Sequence, residues 1–391
     1  MKEGWTYKKL GECLSYIKNG ANIKQAKGAA GIPITRIETL SGGVFNRDRL
    51  GYADIFSTEN YIQYIMDDGD ILMSHINSKA YIGRSVLYRK NGDEVIIHGM
   101  NLLRLKVIPT IITPTFINTY FKSNKFKDNV ARIRKDAVNQ SSMAITDLKR
   151  IPIPIPPMAE QERIVAELDL LQGIIEKKKE QLKAYDQLTQ SIFYTMFGDP
   201  IDNPKGWEMS CFGNIMTPAK SNKCKSHSEL PILSITMHDG IVRQNERFKK
   251  VIASKDVTGY KIIKRGQLVI AFPIDEGLIY TQDIEDEGIM SPAYNVWDVD
   301  YKKVQTLFLK FHLHSAVIMK YYKDKLRGTT LRRRMIPKED LLNLPIPLPP
   351  ISQQEEFAEK VEAIERQKAL VQQSIDETQT MFDFTMDKYF G

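Results

Sequence analysis

The stretch LKRIPIPIPPMAEQE, residues 148–162, decides the fold because the chain contains a second copy of it. That copy is LLNLPIPLPPISQQE, residues 341–355. The likeness continues without a gap to a Phe-Gly pair, which stands at 197–198 in the first copy and at 390–391 in the second. Self-similarity over a stretch of this length predicts a duplicated architecture.

Two weaker likenesses lie upstream of the two copies. GWTYKKLG from Gly4 resembles GWEMSCFG from Gly206, and GDILMS from Gly69 resembles GQLVIA from Gly266. Together these repeats predict two globular parts, each followed by a tail segment. The predicted segments are residues 1–150 and 199–344 for the globular parts and residues 151–198 and 345–391 for the tails.

Each tail segment begins with closely spaced prolines, in residues 152–157 and 345–350. Proline disrupts a helix interior and favours an extended path, so each tail is predicted to start extended. After the prolines, apolar residues recur at alternating steps of four and three over residues 158–197, and the same frame holds in the second tail. This pattern predicts, in each tail, a long helix that buries one narrow stripe against another helix.

The partner expected for each helix is its copy, although the heptads leave open an oligomerisation seam between separate chains. A helix of about 39 residues would span roughly 58 Å. Ser352, three residues before Glu355, predicts a capping box at the start of the second helix. The predicted seam residues are Ile164, Leu168, Leu171, Ile175, Leu182, Tyr185, Ile192 and Met196 in the first tail, and Phe357, Val361, Ile364, Val371, Ile375, Phe382 and Tyr389 in the second.

The composition is that of a soluble globular protein. The chain has 391 residues, of which 42% are hydrophobic and 26% charged, and this length exceeds one ordinary core. The sequence shows no signal-peptide pattern and no run of eighteen apolar residues, so we expect no membrane span. Cys13, Cys211 and Cys224 are odd in number and lie far apart, which argues against a disulfide framework and a zinc site. A cytoplasmic protein is therefore expected.

Positive charge is confined to the globular parts. The whole chain carries a net charge of +7, but residues 1–150 have 23 Lys+Arg against 14 Asp+Glu, and residues 199–344 have 23 against 18. The tails are negative, with 5 against 7 in residues 151–198 and 4 against 9 in residues 345–391. This distribution predicts two separate surfaces that contact phosphates, and helices that do not bind DNA.

Each globular part ends in a basic cluster with interleaved aromatic and small polar residues, which are the types that bond phosphates and base edges. A solvated helix face beside a loop is the alternative interpretation, but the recurrence at equivalent places favours DNA binding. The candidate DNA-binding residues are Lys79, Arg84, Lys122, Lys125, Lys127, Arg132, Arg134, Lys135, Asn139, Gln140, Ser141, Lys223, Lys225, Lys320, Lys323, Lys325, Arg327, Thr329, Thr330, Arg332, Arg333 and Arg334.

The sequence lacks the catalytic motifs that DNA-modifying enzymes would carry. It has neither the Asn-Pro-Pro-aromatic or Asp-Pro-Pro-aromatic loop of a methyltransferase for exocyclic amines nor a GxxxxGK[ST] phosphate loop. Glu176 and Lys178 form the ExK of a nuclease motif, but they fall in the middle of a predicted helix. His312 and His314 lie two apart, a spacing that puts them on opposite sides of a helix or on the same side of a strand. We therefore expect no catalytic residue and no metal site.

The motif PxPPxxEQ before a long helix, the linker FGDPIDNPKGW and the GW at the start of each globular part resemble the specificity subunits of type I restriction-modification systems. The stretch GDILMSHINSKAYIGRSVLY from Gly69 also resembles the recognition domains of that family, whereas GQLVIAFPIDEG from Gly266 departs from them. The resemblance covers essentially the whole chain.

This resemblance implies an α+β fold in which two mixed α/β target recognition domains are separated by two long antiparallel coiled-coil helices, with an internal pseudo-two-fold repeat. It implies that each domain reads one half of a bipartite site in double-stranded DNA. The implied partners are two methyltransferase subunits and restriction subunits, which would bind S-adenosylmethionine, ATP and Mg²⁺, so no cofactor is expected on this chain. The alternatives are a coiled-coil scaffold that binds DNA non-specifically and an enzyme with unfamiliar motifs.

Overall fold

In the computed structural model the chain divides into two compact units. The first unit is Met1–Lys179 with Gln373–Gly391, and the second is Glu180–Gln372. Both mix helices and strands, which confirms the predicted α+β class. The unit boundaries fall inside the two long helices, so the segment boundaries proposed from the sequence stay a prediction. The residues that the structure describes are 4–25, 30–137, 140–220, 223–224, 230–237, 239–247, 256–327 and 335–391.

The first unit contains short strands, two helices that follow its main sheet, and part of each long helix. In chain order its elements are β1 (Thr6–Lys9), β2 (Leu14–Asn19), β3 (Ile32–Ile34), β4 (Gly51–Ala53), β5 (Ile71–Ser74), β6 (Ile76–Asn77), β7 (Ser85–Leu87), β8 (Leu102–Val107), α1 (Pro114–Tyr120), α2 (Asn124–Ile133), β9 (Lys135–Asp136), β10 (Ser141–Ser142), α3 (Ile145–Leu148), β11 (Pro152–Ile155) and the first part of α4 (Met158–Phe197).

The main sheet of the first unit has four antiparallel strands in the order β2-β8-β5-β7. Strand β5 is buried along its whole length. Helices α1 and α2 add Phe116, Tyr120 and Phe126 to the same hydrophobic core, and the long helices add Ile164 and Phe390. Smaller sheets have the orders β1-β11, β3-β4 and β6-β10-β9. The sheet is therefore covered on one face by helices, and the long helices belong to its core.

The second unit repeats this plan with different connecting strands. Its elements are the rest of α4, β12 (Glu208–Cys211), β13 (Met216–Pro218), β14 (Leu233–Thr236), β15 (Gly240–Arg243), α5 (Gln244–Arg247), β16 (Lys261–Lys264), β17 (Leu268–Ile270), β18 (Ile279–Thr281), β19 (Glu287–Met290), β20 (Asn295–Val299), α6 (Thr306–Leu313), α7 (Ala316–Lys325), α8 (Lys338–Leu342), β21 (Pro345–Leu348) and the first part of α9 (Ile351–Phe390).

The main sheet of the second unit has the order β13-β20-β17-β18, again with antiparallel neighbours. Helices α6 and α7 add Phe308 and Tyr322 to its core, and the long helices add Phe193, Phe197 and Phe357. Smaller sheets have the orders β12-β21, β14-β15 and β16-β19. Because the strand order and the helix pair match those of the first unit, the structure supports the predicted internal repeat.

The proline-rich segments form strands before the long helices begin. Strand β11 pairs with β1, and β21 pairs with β12, so that Thr6 lies opposite Ile155 and Glu208 opposite Leu348. Both pairs are two-stranded sheets, in which the missing N–H of a proline can face away from the partner strand. The predicted extended path is therefore observed.

The parts of the two long helices that lie in one unit run antiparallel to each other. In the first unit the Tyr389 hydroxyl donates to Glu167 at 2.7 Å, and Lys178 donates to Ser374 at 2.6 Å. In the second unit Lys368 forms an ion pair with Asp186 at 2.8 Å. Every predicted seam residue is buried or half-buried. That these side chains set a spacing between DNA contacts stays a prediction.

The predicted capping box at Ser352 is wrong. Helix α9 begins at Ile351, directly after Pro350, so Ser352 lies inside the first turn and cannot be the N-cap. The carbonyl of Pro350 accepts from the backbone N–H groups of Gln353 at 2.9 Å and Gln354 at 3.3 Å, so the first turn begins upstream of Ser352. The residue that organises this helix start is a buried glutamine, and its counterpart lies at the start of α4.

Gln161 joins the start of α4 to the globular part of the first unit. Its side chain is fully buried. Its amide oxygen accepts from the backbone N–H of Thr113 at 2.9 Å, and its amide nitrogen donates to the carbonyls of Ile111 and Pro156, both at 3.0 Å. Thr113 is the N-cap of α1, so one side chain satisfies three backbone groups where the helix, the proline segment and α1 meet.

Gln354 makes the same set of bonds in the second unit and is also fully buried. It accepts from the backbone N–H of Gln305 at 2.8 Å, and it donates to the carbonyls of Lys303 and Pro349 at 3.0 and 2.8 Å. Gln305 is the N-cap of α6. The repeat therefore extends to individual hydrogen bonds.

Candidate nucleic-acid interface

The small sheet β6-β10-β9 brings two separate segments of the first unit together. Ser141 lies opposite both Asn77 and Asp136 in this sheet. The turn after β6 carries Lys79, and the residues next to β9 include Arg134. Candidate residues that are far apart in the sequence therefore share one edge of the unit.

Asp136 lies at the centre of this group. Its carboxylate accepts from Arg134 Nε at 2.5 Å and from the Ser141 hydroxyl at 2.8 Å, and it lies 3.5 Å from Lys79 Nζ. The hydrogen bond from Arg134 and then that from Ser141 lower the pKa of Asp136 to about 2. Asp136 therefore stays ionised at neutral pH and orders its two cations, while the Ser141 hydroxyl is already engaged in the protein.

The turn between β5 and β7 has a tightly bonded backbone. The Tyr81 N–H donates to the Ser78 carbonyl at 2.9 Å, the Gly83 N–H to the Ser74 carbonyl at 2.8 Å, and the Ser74 N–H to the Arg84 carbonyl at 2.9 Å. Gly83 has φ +80°, and a Cβ there would lie 3.1 Å from the Val130 side chain, so glycine is required. The turn therefore presents Arg84 from a fixed backbone.

Arg84 and Tyr81 form a cation–π pair on this turn. The guanidinium carbon lies 4.4 Å from the centre of the Tyr81 ring. Arg84 lines two neighbouring cavities. One, of about 840 Å³, is also lined by Lys122, Lys127 and Phe121. We call the other, of about 390 Å³, the smaller cavity; it is lined by Ile37, Glu38, Leu40, Ser41, Gly42, Ser74, Asn77, Tyr81 and Arg84.

The remaining candidates of the first unit are placed less specifically. Lys125 and Arg132 are exposed on α2, Lys135 is exposed on β9, and Gln140 is exposed beside β10. Asn139 lies outside the described residues. These side chains are free to meet a ligand from solvent, but the structure does not gather them around one pocket.

In the second unit the candidates lie near the end of α7. Lys320 and Lys323 are exposed on that helix. Lys325 forms an ion pair with Asp340 at 3.1 Å and lies 5.8 Å from the centre of the Tyr321 ring. The candidates that lie outside the described residues are Lys225, Thr329, Thr330, Arg332, Arg333 and Arg334.

Two further candidates of the second unit take part in backbone pairing. Arg327 is exposed and exchanges two backbone hydrogen bonds with Met335, at 2.9 and 3.0 Å. Lys223 is exposed and forms an isolated β-bridge with Lys261. Burial and the positive charge of Lys223 lower the pKa of Lys261. The role of all these candidates in DNA binding stays a prediction.

The residues considered for chemistry have structural surroundings. Lys178 donates to Ser374 in the helix seam, and Glu176 accepts from Gln172 on the same helix. His312 is fully buried, which lowers its pKa to about 4. Within the described ranges, no three His, Cys, Asp or Glu side chains are grouped so that they could hold a metal ion. No helix in that part of the chain is long and apolar enough to cross a membrane.

Sequence reasoning missed three residues that the structure places next to the candidates. Tyr81 and Asp136 were not among the candidates, although both neighbour candidate cations, and Glu38 lies far from them in the sequence. An aromatic residue three positions before an arginine in a short turn was the available signal for Tyr81. Nothing local marked Glu38, because its relation to Arg84 arises only when the sheet forms.

Comparisons with known proteins agree on one family. The family model described as the type I restriction modification DNA specificity domain matches residues 2–184. The putative type I restriction enzyme MjaX specificity subunit of Methanocaldococcus jannaschii is 32% identical, over 93% of this chain and 87% of the relative. The type I restriction enzyme StySPI specificity subunit of Salmonella potsdam is 22% identical, over 92% of this chain and 79% of the relative.

The fold also has a counterpart among solved structures. A chain from a study of complex assembly and conformational transition of the type I R-M system matches with a TM-score of 0.60 at 16% identity. The match covers 100% of this chain and 98% of the other. At 16% identity the match shows only that the two folds are alike.

Proposed function

This chain belongs to the family of type I restriction-modification specificity subunits, and from that premise we propose that it recognises DNA sequence for a type I restriction-modification complex. The observation that carries the proposal is the 32% identity to a specificity subunit along nearly the whole of both chains. The two basic globular segments and the acidic helical segments support it, because phosphate contacts need cations on the surfaces that meet DNA.

The proposed division of labour follows from the repeat. The segments 1–150 and 199–344 act as two target recognition domains, and each reads one half of a bipartite site in double-stranded DNA. The seam residues of α4 and α9 hold the helices that set the distance between the halves. Two modules on a rigid spacer gain effective concentration only when their separation matches the two DNA sites, so spacer length is part of the specificity.

The chemistry is assigned to partner subunits. Two methyltransferase subunits bind S-adenosylmethionine, and restriction subunits use ATP and Mg²⁺. This chain contributes recognition and no reaction of its own. In the first unit, Lys122 and Lys127 are proposed to contact phosphates, because both are exposed and line one cavity with Arg84.

The test uses the chain in complex with its methyltransferase partners. The complex should protect a split DNA site from nuclease, methylate that site, and bind it far more tightly than random duplex, while the isolated chain transfers no methyl group. Methyl transfer by the isolated chain contradicts the proposal. Equal affinity of the complex for selected and random duplexes also contradicts it and supports a non-specific scaffold.

The role of helix length has its own test. Inserting four residues into one long helix advances it by about one turn, and the proposal predicts that the complex then recognises a site with a different spacer. A folded variant that still methylates the original spacer shows that the helices do not set it.

A further inference from the structure

Three polar side chains around the smaller cavity of the first unit are already engaged. The Asn77 amide donates to the Ser74 hydroxyl at 3.3 Å, and its carbonyl accepts from the Ser78 backbone at 2.7 Å. The Ser41 hydroxyl accepts from Asn46 at 3.2 Å. Asn77 is therefore not free to bond adenine with both ends of its amide, which is how asparagine reads that base.

Arg84 and Glu38 remain available in the same cavity. Both side chains are exposed, and in the described part of the chain neither has a side-chain hydrogen bond or an ion pair to protein. By contrast, Arg47 pairs with Glu94 and Arg89 pairs with Asp68. The two charged side chains that line the cavity, one guanidinium and one carboxylate, are therefore both free.

These two groups match the major-groove edge of one base pair. A guanidinium donates two parallel N–H bonds to O6 and N7 of guanine, and a carboxylate accepts from the N4 amine of cytosine. A surface that only bound phosphates would gain nothing from Glu38, because its charge repels the backbone. An arginine and an unpaired carboxylate that line one cavity supply the donors for guanine and the acceptor for cytosine.

Tyr81 and the bonded turn prepare Arg84 for this contact. Stacking on the aromatic ring covers one face of the guanidinium and leaves its N–H edge free. The fixed backbone and the stack also restrict a long flexible side chain before DNA arrives, which reduces the entropy lost on binding.

We propose that the smaller cavity reads one G·C pair of the half-site recognised by the first unit, with Arg84 bonding the guanine, Glu38 bonding the cytosine and Tyr81 positioning Arg84. This assignment rests on the proposed function of the chain. It names the base class that this part of the interface selects.

The experiment expresses the full chain with its methyltransferase partners and maps the methylated motif by single-molecule sequencing. Arg84→Lys keeps the charge but loses the two-pronged donor, so discrimination at one G·C position of one half-site should fall about 5- to 150-fold, the range of one bidentate contact. The other half-site and the salt dependence of binding should not change. Glu38→Ala should relax the same position.

Two matched variants separate reading from positioning. Tyr81→Phe keeps the stack and should retain the motif, whereas Tyr81→Leu should weaken discrimination at the Arg84 position only. Arg89→Lys, at the other end of β7 and paired with Asp68, should leave every position unchanged.

An unchanged motif in both Arg84→Lys and Glu38→Ala overturns this inference and leaves the proposed function intact. Relaxation spread evenly over the half-site also overturns it, because a single contact affects a single base pair. A wild-type complex that methylates DNA without sequence preference overturns the proposed function itself.

Discussion

In both units a buried glutamine joins the long helix to the globular part. The residue just before the central strand, however, differs between the units. Gln161 and Gln354 make equivalent sets of three hydrogen bonds. At the starts of β5 and β17, by contrast, the first unit has Asp70 where the second has Gln267. The frame, meaning the long helices with their buried glutamines, is repeated down to its hydrogen bonds, whereas the main sheet repeats its strand order but not the side chain at this turn.

The first unit buries an ion pair at this place. Asp70 is fully buried, its carboxylate lies 3.7 Å from Arg104 Nη1, and it accepts from the Asp67 backbone at 2.8 Å. Burial raises the pKa of Asp70. The Arg104 guanidinium also donates to the carbonyl of Gln63 at 3.0 Å and contacts that of Ile65. Arg104 therefore ties the segment before the strand to the sheet.

The second unit needs no buried charge at the same turn. Gln267 accepts from the Lys264 backbone at 2.9 Å and donates to Asp298 at 2.8 Å. In β20 the register position equivalent to Arg104 is Val296. The difference teaches that the repeat keeps the helix anchor while the side chains of the sheet change, as expected if the frame serves assembly and the sheets carry different recognition surfaces.

The largest expected effect comes from breaking the buried pair of the first unit. Arg104→Leu leaves the Asp70 carboxylate buried without its cation, so the free energy of unfolding should fall by about 3–5 kcal/mol. Urea unfolding measures the loss, and hydrogen exchange should place it in the first unit. The double variant Asp70→Asn with Arg104→Leu keeps the turn hydrogen bond and removes both charges, so it should recover part of the stability, although the carbonyls of Gln63 and Ile65 still lack their donor. A double variant as unstable as the single one contradicts the explanation.

The next largest effect should be equal in the two units. Gln161→Leu and Gln354→Leu each leave three backbone groups without their partner, which should lower the free energy of unfolding by about 3 kcal/mol or more. Thermal and urea unfolding give the values. Gln187→Leu on the exposed face of α4 is the control and should change stability little. A clear loss of stability in one glutamine variant but not in the other would show that the two helix anchors are not equivalent.

The ion pair between Arg47 and Glu94 in the first unit should make stability depend on acid, with a smaller effect than the two changes above. The hydrogen bond from Arg47, above all, lowers the pKa of Glu94 to about 2. Since this folded pKa lies below the unfolded one, the stabilisation is present above about pH 4.5 and is lost as the pH falls towards 2. Arg47 is more than a third exposed, so the contribution should be about 1 kcal/mol.

Glu94→Gln should remove this pH dependence, as measured by urea unfolding at pH 2.5 and pH 6. The control in the second unit is Glu287→Gln, whose exposed ion pair with Lys264 spans 3.7 Å and should matter little. Equal stability changes for both variants at pH 6 would refute the role of the Arg47–Glu94 pair.

The smallest effect on folding should come from the exposed cations. Replacing Lys122 and Lys127 with alanine should leave stability unchanged but reduce the slope of log K against log salt by about 1.8, which is roughly 0.9 per phosphate contact. Replacing Arg332, Arg333 and Arg334 should reduce it by about 2.7 on the same basis. DNA titrations at several salt concentrations measure the slopes, and an unchanged slope shows that the replaced side chains do not touch phosphates.

The long helices could be predicted closely from the sequence because both determinants are local. Prolines exclude helix up to residue 157, and the heptad pattern then runs to Phe197, so the first helix has the predicted bounds. The pairing of β1 with β11 could not be predicted, because the sequence of a four-residue strand does not specify a partner strand more than a hundred residues away. Gln161 stood in a quoted motif, but its role depends on contacts with residues 111–113.

The candidate interface was predictable by charge and not by geometry. Arg84 lies in the stretch that resembles recognition domains, and Lys122 and Lys127 lie in the basic cluster that ends the first globular part. Their convergence on two neighbouring cavities depends on the order of strands in the main sheet. Composition therefore identifies the class of ligand, whereas the choice of reading residues requires the fold.

The paired proline strands also bear on how such a protein changes over generations. Lys9 lies opposite Pro152, and Cys211 lies opposite Pro345, so the chain leaves each small sheet and returns to the same place. A segment whose ends are neighbours can be exchanged for one of another length without disturbing what lies outside it. Recombination between genes at these short strands would therefore exchange a whole globular segment in one step and leave the long helices in place.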